Sequence, residues 1–203
     1  MKKLSFAIAL AMASLGAAHA ETFTEAKSSN GVRVVLGMGL TGGGDTLATA
    51  TYRSSSRYDY DLDYNIKAGG LVVFTGGVDF RVTPEFSLQS TVSYHVDQAN
   101  ARNGDIKFKR YPIELLAYFH PSASWRIGGG VRYVSSPKLS SSGVASGLDL
   151  DFDNTVSGLV EAEYFFSENF GMKFRYVNEK YQVKGYKDKV DANHAGIFGS
   201  YYF

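Results

Sequence analysis

The residues most able to do chemistry are charged side chains at two-residue spacing. Glu161 and Glu163 precede Lys173 and Arg175 across a short polar turn, and Glu114 precedes Arg126 and Arg132 across another. Paired carboxylates perform general acid–base work when a cleft pushes their pKa values apart. Here a cation is available to each. If the turn Ser167-Glu168-Asn169 is centred on Glu168, Glu163 faces Lys173 and Glu161 faces Arg175. If the turn over His120-Pro121-Ser122-Ala123-Ser124 is centred at its start, Glu114 falls near Arg126. Opposed charges on neighbouring strands attract, and buried charges without partners are costly. The expectation is a packed interior polar network of Glu114, Arg126, Arg132, Glu161, Glu163, Lys173 and Arg175, not a catalytic site.

Other chemistries are weaker. His95 and Asp97 share one face of a strand, and His194 shares a face with Ser200. Six residues separate that second pair, about 20 Å along a strand, too far for a serine nucleophile and its base. Two acidic ladders stand out, Asp59, Asp61, Asp63 and Asp149, Asp151, Asp153. Calcium needs six to eight converging oxygens, whereas alternate strand residues step apart by about 7 Å. No Asp-x-Asp-x-Asp-Gly loop closed by Glu is present. The ladders are expected to be solvated strand extensions paired with Lys or Arg, and neither metal nor cofactor is expected. Cysteine is absent, which excludes a disulfide scaffold.

The elements that must position these residues read as strands. From Tyr58 to Val82 the even positions are apolar or small and uncharged, while the odd ones include Asp59, Asp61, Asp63, Lys67, Asp79 and Arg81. That period of two predicts one very long strand with a greasy and a charged face. Strands are likewise predicted over 31–40, 86–97, 106–119, 125–133, 148–166, 170–176 and 194–203. In 106–119 the parity of the apolar positions changes, so a β-bulge is expected near Lys109-Arg110, next to Pro112, with Ile106 and Phe108 facing out. In 148–166 the even residues, Phe152 among them, are expected outside. Polar loops are predicted over 42–57, 98–105, 135–147 and 178–189, alternating with short turns at 83–85, 120–124 and 167–169.

The amino terminus suggests the compartment. Met1-Lys2-Lys3, an apolar run from Leu4 to Ala18, and Ala18-His19-Ala20 together read as a signal peptide, cut before Glu21. Glu21–Asn30 reads as a loose periplasmic lead-in, and 31–203 as one barrel domain. The apolar run is shorter than the roughly 20 residues of a spanning helix. Removing Lys2 and Lys3 takes the formal charge from +1 to −1, which offers nucleic acid nothing.

Eight strands with alternating long loops and short turns make an all-β, antiparallel, up-and-down transmembrane β-barrel, apolar outside and polar inside. At this point the chain resembles the small eight-stranded outer-membrane barrels of Gram-negative bacteria: the OmpA transmembrane domain, OmpX, opacity-type and OmpW-like proteins. The ending Ala195, Ile197, Gly199, Tyr201, Phe203 resembles the signal read by the barrel assembly machinery, which makes Tyr201 and Phe203 assembly-recognition residues by resemblance. The resemblance implies a monomeric, multi-pass protein of the outer membrane. It would contact membrane lipid and lipopolysaccharide and contribute, without catalysis, to envelope integrity and to adhesion or resistance through its surface loops, with a host or surface ligand as partner. A narrow pore for small or hydrophobic solutes is the alternative, and a lipid A-modifying enzyme a third; the His-x-Ser-Asn motif of lipid A deacylases is missing. Arg53, Arg57 and Lys109 are the rim cations expected to meet lipopolysaccharide phosphates.

Overall fold

The computed structural model describes residues 31–53, 61–101, 104–143 and 146–203, with the side chains of 50–63 and 100–104 left aside. The expected signal peptide, its cleavage site, the lead-in, Arg57 and Asp59 lie outside the described residues. So do the side chains of Arg53, Asp61 and Asp63. In chain order the strands are β1 (Val32–Gly43), β2 (Thr46–Arg53), β3 (Asp61–Lys67), β4 (Leu71–Arg81), β5 (Phe86–Ala101), β6 (Gly104–Ser122), β7 (Trp125–Ser141), β8 (Leu150–Asp151), β9 (Thr155–Phe165), β10 (Phe170–Asn178), β11 (Lys180–Gln182), β12 (Lys189–Asp191) and β13 (His194–Tyr202).

Eight of them close a barrel. The order runs β6, β5, β4, β1, β13, β10, β9, β7, and β6 pairs with β7 to complete the ring, every pairing antiparallel. Closure leaves no unpaired strand edge in hydrocarbon, where each orphaned backbone group costs several kcal/mol. Among the described residues no helix is long and apolar enough to cross a membrane.

The outward side chains form a greasy belt: Val34, Leu36, Met38 and Leu40 on β1, Ile113 and Leu115 on β6, Val156 and Val160 on β9, and Phe174 and Tyr176 on β10 are all exposed. Aromatic contacts border it below, with Phe86 and Phe119 rings 5.4 Å apart and Trp125 and Tyr164 5.0 Å apart. Above, Tyr94 and Tyr111 lie 5.5 Å apart. An apolar outer band between two aromatic girdles is the surface a barrel presents to a bilayer. Inward glycines make room for large rings: a Cβ at Gly39 would run into Phe198, and one at Gly128 into Tyr118.

Several expectations change at the long-loop end. The long strand over 58–82 is two strands, broken at Ala68-Gly69-Gly70, and β3 pairs with β2 in a separate hairpin. The segments expected as polar loops contain β2, the ends of β5 and β7, and β11, which pairs with β12 in a hairpin. Strand β6 carries no change of facing: Ile106, Phe108, Arg110, Pro112, Glu114, Leu116 and Tyr118 all point inward. The irregularity sits across the ladder in β7, where two residues, Ser136 and Pro137, oppose the single Arg110 and Ser136 has φ 48°. Facing in β7 changes there, from Arg132 and Val134 to Pro137 and Leu139. Phe152 is likewise buried rather than outside.

Candidate functional site: the barrel interior and its mouth

Period-two strands whose outer residues meet lipid must send their charged residues into the lumen, and in an eight-stranded barrel the lumen is only wide enough for side chains to fill it. The lower layer centres on Arg126, fully buried. Its Nη1 donates to Asp79 Oδ1 at 2.6 Å, its Nε to Glu163 Oε2 at 2.7 Å and its Nη2 to Gln89 Oε1 at 2.9 Å. It also bonds the Tyr202 hydroxyl and lies 3.9 Å over the Tyr118 ring. Asp79 receives a second cation, Arg33 Nη2, at 2.8 Å.

The middle layer centres on Arg175. Its Nη1 and Nη2 grip Glu114 Oε1 and Oε2, each at 2.9 Å, while Nε donates to Glu161 Oε1 at 2.5 Å. A two-pronged guanidinium–carboxylate pair is among the stronger and more directional contacts a protein makes. Lys173 Nζ bridges the layers, 3.8 Å from both Glu161 and Glu163. Above it Arg132 donates to Glu114 Oε1 at 2.7 Å and to Glu179 Oε1 at 3.1 Å. Glu179 also accepts from Ser157 Oγ at 2.9 Å and Tyr181 OH at 2.5 Å. Burial alone would raise the Glu179 carboxyl, but the Arg132 guanidinium and the Tyr181 hydroxyl outweigh it and hold it below the usual glutamate value.

Charges of alternating sign thus run without a gap from Asp79 at the short-turn end to Glu179 at the other. Glu163 stands opposite Lys173 and Glu161 opposite Arg175. Glu114 is not near Arg126; it stands opposite Arg132, six residues further along β7. The reason is that His120-Pro121-Ser122 stays in β6 and the reversal falls at Ala123-Ser124. Sequence reasoning did not select Arg33, Asp79, Arg110, Tyr118, Glu179 or Tyr202 for this network. Asp79 was on the charged face already noted, Arg110 was assigned to a bulge, and Glu179 sat in a segment read as loop.

The mouth differs from the shaft. Ile66, Ala68, Ala99, Ile106, Phe108, Val134, Leu139, Phe152, Tyr181 and Ala192 form a buried apolar cluster, with the Phe108, Phe152 and Tyr181 rings 5.6 to 5.9 Å apart. Between shaft and cluster, Arg110 is buried against the Phe108 ring at 4.7 Å and donates to the carbonyls of Ala68 and Gly70. Asp97 accepts from Tyr64 OH at 2.8 Å and Lys67 N at 2.9 Å. These bonds tie the break between β3 and β4 across the lumen. His95 Nδ1 lies 3.4 Å from Arg132 Nη2, which has no lone pair to give, so Nδ1 is the acceptor and the ring proton is on Nε2. Nε2 then donates to Thr41 Oγ1 at 2.9 Å, and Thr41 donates to Gly69 O at 2.8 Å. His194 bonds Ala192 O at 2.7 Å and meets the His95 ring edge-on at 5.4 Å.

Every buried glutamate in the described interior lies within ion-pair distance of Arg or Lys. Among the described residues no three His, Asp or Glu side chains are grouped to hold a metal. In the second acidic ladder Asp149, Asp151 and Asp153 are exposed; Asp151 Oδ1 lies 3.6 Å from Lys138 Nζ, and Asp149 accepts from Ser141 N at 2.6 Å. Lys109 stands opposite Lys138 and is half-buried.

An eight-stranded closed antiparallel barrel with an apolar belt and a charged lumen is a transmembrane barrel of the outer-membrane kind. The chain belongs to the outer membrane protein beta-barrel domain family, whose model matches residues 6–203. No curated protein sequence matches it. Among solved structures it is similar to Ail, the attachment invasion locus protein of Yersinia pestis, in complex with the heparin analogue sucrose octasulfate: 14% identity, 85% of this chain and 97% of that one, TM-score 0.51. It is also similar to OprG from Pseudomonas aeruginosa, with 13% identity, 85% and 96% coverage and TM-score 0.47. Identities this low speak for the fold alone.

Proposed function

We propose that this chain is a sealed outer-membrane barrel that works at its outer end, making surface contacts through the segments above the bilayer rather than conducting or catalysing. The observation that carries this reading is the filled lumen: a charge ladder closes the shaft and an apolar cluster, pinned by Arg110, closes the mouth. The β2–β3 and β11–β12 hairpins contribute Ile66 and Tyr181 to that closure and present the chain to the outside. The complex of Ail with a heparin analogue supports a polyanionic surface ligand as the first to try. The exported precursor would lose Met1–Ala20, and Tyr201 and Phe203 would guide assembly.

The test is attachment of bacteria displaying the chain to immobilised heparin and to cell layers. A variant with residues 54–60 replaced by a Gly-Ser linker serves as comparison, with folding checked by heat-modifiable migration. Reduced attachment of that variant at equal surface display is the expected result; equal attachment, together with attachment no greater than that of cells lacking the chain, would overturn the reading.

A further inference from the structure

The crest of the β11–β12 hairpin holds an aromatic ring out in water, although the mouth buries Phe108, Phe152 and Tyr181. Tyr186 is 65% exposed, more than any other described aromatic side chain. Phe174 and Tyr176 are exposed too, but on the lipid belt. Asn178 is the last residue of β10 paired with β9, and the chain from there to Lys184 covers about 20 Å when extended, which lifts the crest clear of that belt. The ring is exposed on a fixed backbone. Tyr186 N donates to Val183 O at 3.1 Å, Gln182 Nε2 donates to Tyr186 O at 3.0 Å, and Gly185 supplies the left-handed φ of 82° at the turn. The hairpin is bonded in turn to the β8 segment, Asp153 N to Gln182 O and Lys184 N to Asp151 O, each at 2.9 Å. A ring presented on a fixed turn loses little freedom when a ligand lies against it.

Cations flank that ring in the chain. Lys184, Lys187 and Lys189 are exposed, with Asp188 the one acid between them. Among the described residues no carboxylate lies within ion-pair distance of these three lysines; the neighbouring Asp151 is taken by Lys138 at 3.6 Å. At the foot of the hairpin the charges balance instead. Side chains alternate along β11, so with Tyr181 buried Lys180 and Gln182 face out, and Lys180 stands opposite Asp191. A polar pocket of about 320 Å³ opens there, its lining including Asp153, Asn154, Asn178, Gln182 and Lys189. A carboxylate and amides beside a lysine suit hydroxyl groups, which both donate and accept, better than concentrated charge. Asp149, Asp151 and Asp153 are exposed on the β8 side and turn an acidic ligand toward β12.

An aromatic face, cations next to it in the chain and a hydroxyl-binding pocket at the foot complement a sugar chain that carries carboxylate or sulfate groups. A bare polyanion would use the lysines and leave ring and pocket idle. We propose that the β11–β12 hairpin is the binding site for an acidic sugar chain: one sugar face lies on Tyr186, the acidic groups meet Lys184, Lys187 and Lys189, and a hydroxyl-bearing unit enters the pocket beside Gln182 and Asn178. The proposal rests on the reading that the chain makes surface contacts, and it names the ligand class and the residues that would hold it.

The test is isothermal titration calorimetry of the refolded chain in phosphatidylcholine nanodiscs, which carry no saccharide, with a heparin hexasaccharide and, separately, with inorganic polyphosphate of matched charge. Heat-modifiable migration checks that each variant is folded. The hexasaccharide should bind, with affinity falling about tenfold in the triple variant Lys184→Gln, Lys187→Gln, Lys189→Gln and about fivefold in Tyr186→Ala. Tyr186→Trp should keep the affinity, and polyphosphate binding should move less than about twofold in Tyr186→Ala. Unchanged hexasaccharide affinity in the triple variant or in Tyr186→Ala overturns the proposal. So does an equal loss for both ligands in Tyr186→Ala, which would reveal a patch of charge with no part for the ring. In each of these cases the unsubstituted chain still binds the saccharide, so the surface-contact reading stands. Absence of hexasaccharide binding by the unsubstituted chain also overturns the proposal, and the reading itself falls with it only if displaying cells attach no better than cells lacking the chain.

Discussion

The shaft and the mouth of this barrel obey opposite rules. In the shaft, apolar residues face out and charges face in, because the solvent outside is hydrocarbon. At the mouth, Ile106, Phe108, Leu139 and Phe152 face in, while Asp149, Asp151 and Lys138 face out, because the solvent there is water. The mouth is thus an ordinary soluble core set on top of an inside-out one. The two regions hold together by different physics. Filling the mouth removes aromatic surface from water, worth about 1.5 to 3 kcal/mol for a fully buried Phe. The shaft gains little from charge pairs as such; what matters is that removing one partner strands the other.

That contrast predicts a ranking. The largest effect should come from Arg126→Ala, which leaves Asp79 and Glu163 buried beside a missing cation, a loss of about 3 to 5 kcal/mol in urea unfolding of the refolded barrel. Next, Val160→Arg puts a charge into the lipid belt and should cost about 2 to 4 kcal/mol and hinder assembly. At the mouth, Leu139→Ala should cost about 2 kcal/mol. Its signature should be local: hydrogen exchange accelerates in β2, β3 and the end of β6 while the shaft stays protected. The smallest effect concerns pH. The Glu179 carboxyl is held low in the folded chain, so its contribution is present above the ordinary glutamate range and is lost as pH falls through the depressed folded value. Acidification should weaken the contact between Glu179, Arg132 and Tyr181, and Glu179→Gln should remove that part of the pH dependence. If mouth and shaft respond together to Leu139→Ala, the distinction between them fails.

The same contrast explains what could be read from the sequence. Alternation located all eight shaft strands, because lipid outside and charge inside keep a strict period of two. The register of β9 against β10 followed from a turn of three polar residues. The register of β6 against β7 did not, because a strand that continues through Pro121 looks like a turn on composition. At the mouth the meaning of apolar inverts while the spacing does not. Ile106 and Phe108 therefore looked like lipid-facing residues out of step, and a bulge was assigned to β6 when the irregular residue was Ser136 in β7. Period two says which residues share a face; only the solvent at that height says which face is inside. The ring of partners around Arg110 was hidden for another reason, since its acceptors are the backbone carbonyls of Ala68 and Gly70, which carry no signal in composition.

Planar-bilayer recording tests the sealed interior most directly. The unsubstituted chain should give no stable current, and Glu114→Ala with Glu161→Ala should stay near that baseline, because the apolar mouth and the Arg126 layer still close the path on either side of the lost carboxylates. A large, stable current through the unsubstituted chain would contradict the account.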